Sequence, residues 1–228
     1  MIQFIAALAL FLALHSVPAI PGIRQRLIAK LGRRPYLALY SLASLVCLFW
    51  VFHAAFGLDY VELWPPAAWQ GWVTLIAAPI ALFLLTAGLI SPNPVSITFR
   101  KGEARPGAIV AITRHPVLWG FILWAGSHVL ANGDLRSLML FGILGLFGAL
   151  GIFTTERRSR RRLGDDWQEF AATTSIVPFV AIISGRARLQ IDIPMLIGFL
   201  TAALITAWLL WGGHAVLFGV DPLVLTTF

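Results

Sequence analysis

The sequence predicts an all-α fold, a polytopic transmembrane helical bundle of about six spans. Of the 228 residues, 59% are hydrophobic and 12% are charged, and the mean hydropathy is +0.85. Typical soluble domains are about 45–50% apolar and about 25% charged. The apolar residues also form six long runs, and the chain has a single cysteine. A soluble globular fold, a disordered chain and a disulfide scaffold are therefore excluded.

Six apolar runs approach the length of about 20 residues that a helix needs to cross a bilayer. The predicted spans cover residues 2–20, 36–56, 70–90, 116–131, 137–153 and 193–219. The third ends before Ser91-Pro92-Asn93-Pro94, because proline and the residue before it leave the helical conformation. The fourth is short for a full span, so it either begins earlier, near Ala108, or lies partly inside the bundle. The whole chain, 1–228, is interpreted as one membrane domain.

The fifth span carries a glycine at every third position. These residues are Gly142, Gly145, Gly148 and Gly151. Small residues at this spacing allow neighbouring helices to approach closely. The longest connection, residues 154–192, follows this span and begins with an arginine-rich segment. We expect it to hold any sizeable element outside the membrane.

Positive charge is concentrated in three alternate loops. Sixteen of the 17 Lys and Arg residues lie between spans one and two, three and four, and five and six, with Arg136 as the exception. The positive-inside rule places these loops in the cytoplasm and both termini on the outer, periplasmic side. No positive segment precedes the first apolar run, so this run is interpreted as a permanent span. Because loop charge accounts for the net charge of +7, no nucleic-acid partner is expected.

Ionisable side chains are costly inside a bilayer and mark candidate functional sites. His128 lies at the end of a predicted span, and Gly120, Trp124, His128 and Asn132 recur every four residues on one helix face. A face with a small residue, an aromatic ring, an imidazole and an amide suits a flat cofactor. The structural alternative is a helix end with Asn132-Gly133 as its turn.

The other histidines within or near spans are His15, His53 and His214. His15 is either a neutral histidine hydrogen-bonded to a neighbouring helix or a metal or haem ligand, since neutral imidazole is the commonest metal ligand. His53 and His214 lie near outer helix ends and are interpreted as interfacial.

Arg114 and His115 precede Pro116, which suits the first turn of a helix. They either occupy a helix N-terminus that favours anions or anchor the helix at the interface. His115 and His128 are 13 residues apart, about 20 Å along a continuous helix, so they cannot bind one metal ion. Glu156 is either a solvated anchor or part of a site where it meets Arg114 and His115.

An ordered set of short motifs runs through most of the chain. The motifs are Leu14-His15-Ser16, Leu39-Tyr40-Ser41, Leu63-Trp64, Ile112-Thr113-Arg114-His115-Pro116, Trp124, His128, Asn132-Gly133, Arg157-Arg158, Gly164-Asp165-Asp166-Trp167, Thr174-Ser175, Pro178-Phe179 and Gly185-Arg186. By this set, the chain resembles the NnrU family of bacterial membrane proteins and the related zeta-carotene isomerases of plants and cyanobacteria. No single motif is specific, but their order is.

The resemblance implies a bacterial inner-membrane protein. The isomerases bind haem b through two histidines and convert a 15-cis double bond of a carotenoid to trans without net redox change. By position, the two ligands correspond to His15 and His128. The isomerases also carry a cysteine three residues before the second histidine, where this chain has Ala125. The NnrU branch is associated with denitrification and nitric oxide metabolism.

A second resemblance concerns membrane isoprenylcysteine methyltransferases. The shared positions are Arg114-His115-Pro116, Gly120, Glu156, Gly164, Trp167 and Pro178. In that family these positions bind S-adenosylmethionine at the cytoplasmic face. A tyrosine usually stands two residues after the proline, where this chain has Leu118. Methyltransferase activity is therefore the alternative hypothesis, and a non-catalytic assembly factor for a nitrogen-oxide reductase is the third.

We therefore expect a haem b-binding bundle with His15 and His128 as axial iron ligands, and a His15–His115 pair as the rival set. The other expected cofactor-binding residues are Trp124, Asn132, Arg114 and His115. The first two are expected to line the pocket, and the last two to hold the helix end and the haem propionates. The expected partners are the lipid bilayer and an apolar polyene substrate, with isomerisation or electron transfer as the chemistry.

Overall fold

The computed structural model describes residues 1–16, 21–100 and 105–227, and this part of the chain is mostly helical. Its α-helices are α1 (Ile2–Ser16), α2 (Pro21–Leu31), α3 (Arg33–Phe56), α4 (Ala68–Ile90), α5 (Ile109–Ile112), α6 (Pro116–Asn132), α7 (Leu135–Leu163), α8 (Asp166–Ala172), α9 (Val180–Ile183), α10 (Ile193–Trp208) and α11 (His214–Phe218). The described residues contain no β-strand. The predicted all-α class is confirmed.

Four helical segments are long and apolar enough to span a membrane. They are α3, α4, α7 and the segment Ile193–Phe218, which joins α10 and α11. α1 is apolar but has only 15 residues, and positions 17–20 of its predicted span lie outside the described residues. α6 has 17 residues, fewer than the roughly 20 of a full span. The six predicted runs thus correspond to six helical segments, and the number of full spans is approximate.

α7 continues ten residues beyond the predicted end of the fifth span, from position 153 to Leu163. The prediction ended the helix where the apolar run ends. The following segment contains neither glycine nor proline, and arginine is a good helix former. Its positive charges also lie at the helix C-terminus, where they interact favourably with the backbone dipoles. Gly164, with a φ of 57°, then ends the helix.

The described residues form two compact units, and each is described by itself. Unit 1 comprises Met1–Glu62 and Asp134–Leu140, and unit 2 comprises Leu63–Gly133 and Phe141–Phe228. In unit 1, α3 packs against α1 and α2. The N–H of Leu135 donates to the carbonyl of Val61 at 2.9 Å, which ties the start of α7 to the segment after α3.

α4 is the central helix of unit 2 and packs against α6 and α10. A Cβ atom at Gly88 would lie 2.8 Å from Cγ of Pro116 in α6. A Cβ atom at Gly198 of α10 would lie 2.7 Å from Cα of Ala87. Real Cβ atoms essentially never approach this closely. Both helix pairs therefore depend on glycine for their short separation.

Two threonines of α4 add hydrogen bonds to the same neighbours. Thr74 Oγ1 donates to the carbonyl of Ser127 in α6 at 3.0 Å. Thr86 Oγ1 donates to the carbonyl of Gly198 in α10 at 2.9 Å. Interhelical bonds of this kind contribute about 0.6 kcal/mol each on average. These two hydrogen bonds therefore reinforce the close packing at Gly88 and Gly198.

The glycine row of α7 faces α6 within unit 2. A Cβ atom at Gly145 would lie 3.3 Å from Cβ of Ala125, and one at Gly151 would lie 3.2 Å from Cδ2 of Leu118. Gly148, between them, faces the same helix. The close packing predicted from the three-residue spacing is therefore confirmed for these three positions.

The turn predicted after α6 is also confirmed. Gly133 adopts a φ of 61° and ends the helix. The indole Nε1 of Trp64 donates to the carbonyl of Leu130 at 3.1 Å. A Cβ atom at Gly133 would lie 2.5 Å from the carbonyl oxygen of Trp64, so only glycine fits where the two segments meet.

The last predicted span, 193–219, is interrupted. α10 ends at Trp208, a single π-helical turn covers Leu209–Gly213, and α11 follows. Inside the turn, Gly212 has a φ of 104°, a conformation that disfavours residues with a side chain. The adjacent glycines thus explain a kink that hydrophobic periodicity alone does not reveal.

Candidate functional site

The sequence-predicted site residues fall into three places. His15 lies in α1 of unit 1. Three residues share one face of α6 in unit 2: Trp124, His128 and Asn132. Arg114 and His115 directly precede α6, at its other end. Two groups can thus be described within unit 2, and one histidine within unit 1.

His128 is held by its own helix and by α7. Its Nδ1 lies 2.7 Å from the carbonyl oxygen of Trp124, and its ring centre lies 5.2 Å from that of Trp124 and 5.0 Å from that of Phe141. Asn132 Nδ2 donates to the carbonyl of His128 at 2.7 Å. Because a carbonyl oxygen only accepts, Nδ1 of the neutral ring carries the proton and Nε2 the lone pair.

His15 has the same arrangement in α1. Its Nδ1 lies 2.8 Å from the carbonyl oxygen of Phe11, four residues earlier. Its ring lies 4.2 Å from the ring of Phe11 and 5.9 Å, edge to face, from that of Tyr40 in α3. The neutral imidazole therefore also carries its lone pair on Nε2.

His115 is in a different state, because both of its ring nitrogens are engaged. The residue is 0% exposed. Its Nδ1 lies 3.0 Å from Oγ of Ser96, and its Nε2 lies 2.7 Å from Oε1 of Glu156. An iron ligated by either nitrogen would replace one of these buried hydrogen bonds, so the geometry disfavours His115 as the partner of His15.

Arg114 shares the same carboxylate. Its Nε lies 3.0 Å from Oε1 of Glu156, an ion-pair distance without hydrogen-bond geometry. Its Nη1 donates to Oγ1 of Thr174 at 3.4 Å, and its guanidinium lies 5.3 Å from the ring centre of Trp167, a cation–π contact. Burial lowers the pKa of Arg114, and the negative charge of Glu156 offsets part of that decrease.

The loop after α4 forms one wall of this cluster. Asn93 Nδ2 donates to the carbonyl of Arg114 at 3.0 Å. Its Oδ1 accepts from the N–H groups of Val95 and Ser96 at 3.0 and 3.1 Å. Ser159 Oγ of α7 donates to the carbonyl of Val95 at 2.9 Å. The loop, the segment before α6 and the end of α7 are therefore joined by buried hydrogen bonds.

A site of Glu156 with Arg114 and His115 was one of the two alternatives left open by the sequence, and the structure brings these three residues together. Ser96 and Thr174 were not predicted to belong to this site. Ser96 lies in none of the motifs, and Thr174 was named only in the motif Thr174-Ser175 of the family resemblance. Asn93 offered a signal, because asparagine after proline commonly closes a turn on its own backbone. In the sequence, Asn93 was interpreted only as part of the segment that ends the third predicted span.

Ser96, His115 and Glu156 form a row that is similar in composition to a hydrolase triad. The connections are reversed, since the serine meets Nδ1 and the carboxylate meets Nε2. Ser96 is also 3% exposed, so no substrate reaches its hydroxyl. The buried hydrogen bonds of this row join three segments of unit 2, and their order differs from that of a hydrolase triad.

A cavity of about 430 Å³ opens beside the cluster, within unit 2. Its lining includes Arg114, Glu156, Arg157, Arg160, Arg161 and Trp167. A larger open cavity of about 680 Å³ lies in unit 1, next to Met1 and His53. Among the predicted cofactor-binding residues, Arg114 lines the smaller cavity, whereas His15 and His128 line neither of the two.

No group of three or more His, Cys, Asp or Glu side chains is arranged to hold a metal ion within residues 1–16, 21–100 and 105–227. A haem iron has a different requirement. The porphyrin supplies its equatorial ligands, and the protein supplies one or two axial side chains. The imidazoles of His15, His128 and His214 each bond through Nδ1 to a backbone carbonyl, and the lone pair on Nε2 of a neutral imidazole is a suitable axial donor.

Comparison with known proteins identifies relatives over most of the chain. A family model described as NnrU protein matches residues 3–222. The 15-cis-zeta-carotene isomerase, chloroplastic, of Arabidopsis thaliana is 26% identical over 204 residues, which are 84% of this chain and 53% of the plant protein. The protein of the same name from Zea mays is 35% identical over 86 residues, 37% of this chain and 23% of the plant protein. This chain thus spans about half the length of the Arabidopsis relative. No solved structure gives a significant match.

Proposed function

The chain belongs to the NnrU family, and from this premise we propose that it is a membrane protein that binds haem b and isomerises an apolar polyene. His15 and His128 are the proposed axial ligands. The family membership, the names of the two plant relatives and the local geometry of the two histidines support this proposal.

The shared geometry of the two imidazoles carries the proposal. Each donates Nδ1–H to the backbone carbonyl four residues earlier, at 2.8 Å for His15 and 2.7 Å for His128. Metal-ligating histidines are commonly oriented by such a bond from the non-ligating nitrogen, which also makes the ligand more basic. His115 has no nitrogen left for this role.

The residues around His128 would form the walls of the proposed haem site. Trp124 and Phe141 place two rings within about 5 Å of the imidazole, and Asn132 bonds to its backbone carbonyl. When bound, haem b supplies a redox-active iron. The apolar helices supply a medium that holds a hydrocarbon and excludes water. Arg114 lies about 20 Å from His128 by helix rise, so we leave it and its neighbour His115 out of the proposed haem site.

The absorption spectrum of the purified, detergent-solubilised chain tests the haem. We expect a Soret band that is lost or strongly shifted in His15→Ala and in His128→Ala, because each removes one axial ligand. His53→Ala is the control. His53 is an exposed histidine of unit 1 that corresponds to neither family ligand, so the Soret band should persist in this variant. A colourless wild-type protein after expression with excess haem would refute the haem assignment.

Ala125 allows the isomerase activity to be tested separately. In the isomerases, a cysteine stands at this position, and a thiolate coordinates iron whereas a methyl group does not. We expect Ala125→Cys to increase the conversion of a 15-cis polyene to its trans isomer by the haem-loaded protein, measured chromatographically. Ala125→Ser, which has similar size, should leave the rate unchanged. Haem without conversion in any of these proteins would contradict the isomerase and favour the assembly-factor hypothesis.

The methyltransferase hypothesis finds less support in the cavity beside Arg114. S-adenosylmethionine carries a positive sulfonium group, which a carboxylate stabilises and an arginine repels. Glu156 is the acidic residue among those lining this cavity, and it is already shared by Arg114 and His115. The arginines could bind the carboxylate of S-adenosylmethionine, but its sulfonium group would meet no unengaged carboxylate among the residues that line the cavity.

A further inference from the structure

The cavity beside Glu156 has an unbalanced charge. Its lining carries four guanidinium groups, from Arg114, Arg157, Arg160 and Arg161, and one carboxylate. The carboxylate contacts Arg114 and the buried imidazole of His115. In the part of the chain that the structure describes, the other three arginines form no ion pair. Like charges gathered at one cavity attract an anion.

The arginine run of α7 presents only some of its members to this cavity. Arg157, Arg160 and Arg161 lie at spacings of three and four, on one helix face, and all three line the cavity. Arg162 points elsewhere, because its guanidinium donates to the carbonyl of Pro94. Only one face of the arginine run therefore lines the cavity.

Arg114 is prearranged at the base of the cavity. Its guanidinium is fixed by Glu156, by Thr174 Oγ1 and by the ring of Trp167. A group held in this way loses little conformational entropy when a ligand binds. Trp167 also lines the cavity and provides an aromatic wall for an uncharged part of the ligand.

We propose that this cavity binds a phosphate ester. Arginine forks match phosphate oxygens with two parallel hydrogen bonds, and about 430 Å³ lies in the range of about 300–1,000 Å³ typical of small-ligand pockets. The arginines also follow directly after the apolar stretch of α7, at the level where a membrane has its headgroups. The ester comes either from a phospholipid headgroup or from a soluble metabolite, and this inference does not depend on the haem.

The test compares two variants of the full chain that lose the same charge. Arg157→Gln/Arg161→Gln removes two guanidinium groups from the cavity. Arg105→Gln/Arg188→Gln removes two exposed arginines that do not line it. Binding of phosphatidylglycerol and of phosphatidylcholine is counted by native mass spectrometry of the detergent-solubilised proteins, and glycerol 3-phosphate is titrated calorimetrically.

We expect the cavity variant to bind its phosphate ester at least about tenfold more weakly than wild type, since two charge-assisted contacts are lost. The control should bind within about twofold of wild type. Arg157→Lys/Arg161→Lys keeps the charge but loses the arginine fork, and it should bind with intermediate affinity even if the glutamine variant folds poorly.

The outcomes separate the two sources and the rival explanations. Preference for phosphatidylglycerol over both other probes identifies a lipid headgroup, and binding of glycerol 3-phosphate identifies a soluble ester. If the cavity variant and the control variant lost the same affinity for the phosphate ester, the effect would be one of net surface charge, and the proposal would be overturned. Binding of S-adenosylmethionine, titrated in the same way, with no binding of any of the three phosphate esters would also overturn it.

Discussion

Gly198→Ala is expected to destabilise unit 2 by about 3 kcal/mol, because overpacking of a tight interface costs about 1–3 kcal/mol and more where backbone must move. The new Cβ would lie 2.6 Å from Cβ of Ala87 and 2.7 Å from its Cα and backbone nitrogen. Ala87 is fully buried, and no flexible side chain is available to move away. The helices must therefore separate, which also lengthens the bond from Thr86 to the carbonyl of Gly198.

Unfolding of the purified chain in mixed micelles, followed by circular dichroism, measures this loss. Gly126→Ala is the matched control, since a Cβ there meets nothing within 4 Å. Alanine is favoured over glycine inside a helix by about 1 kcal/mol, so the control should be neutral or slightly stabilised. Equal stability of the two variants would show that α4 and α10 are not in the contact described.

Glu156→Gln is expected to cost about 3–5 kcal/mol, the usual result of removing one partner from a buried ion pair. The side chains of Arg114 and Glu156 are 10% and 16% exposed, so water compensates little for the lost charge. Glutamine preserves the shape and can still meet His115. The expected loss therefore reports the uncompensated guanidinium of Arg114.

A double-mutant cycle isolates this interaction. Arg114→Met/Glu156→Gln should recover part of the stability lost in Glu156→Gln, because no buried charge then remains. Glu169→Gln makes the same chemical change at an exposed position of α8, and its effect should stay within about 0.5 kcal/mol. Additive losses in the cycle would mean that the two side chains do not interact.

Hydrophobic pattern alone predicted the helical class and the positions of the apolar helices. The pattern did not predict the C-terminal end of α7 or the interruption of the last span. α7 continues to Leu163 because arginine is a good helix former, although it is too polar to extend the apolar run. The last span is broken by Gly212 and Gly213, whose conformation depends on local packing and leaves the apolar pattern unchanged.

The candidate site was predictable only in part, for a similar reason. Arg114, His115 and Glu156 are ionisable residues beside spans, and that rarity singles them out. Ser96 and Thr174 are ordinary polar residues, and only the fold reveals that they complete the hydrogen bonds of His115 and Arg114. Without them, His115 remained a rival iron ligand in the sequence analysis.

The bond between Thr86 and Gly198 has a consequence for biosynthesis, because it joins residues 112 positions apart. α4 emerges from the ribosome long before α10 is translated. Until then, the hydroxyl of Thr86 has an acceptor in its own helix, the carbonyl of Leu82 at 2.7 Å. Thr86 can therefore face lipid with its polar group hydrogen-bonded. α10 then completes unit 2 as the last large helix to arrive. Nascent chains that stop before Gly198 therefore leave the face of α4 around Ala87 without its packing partner.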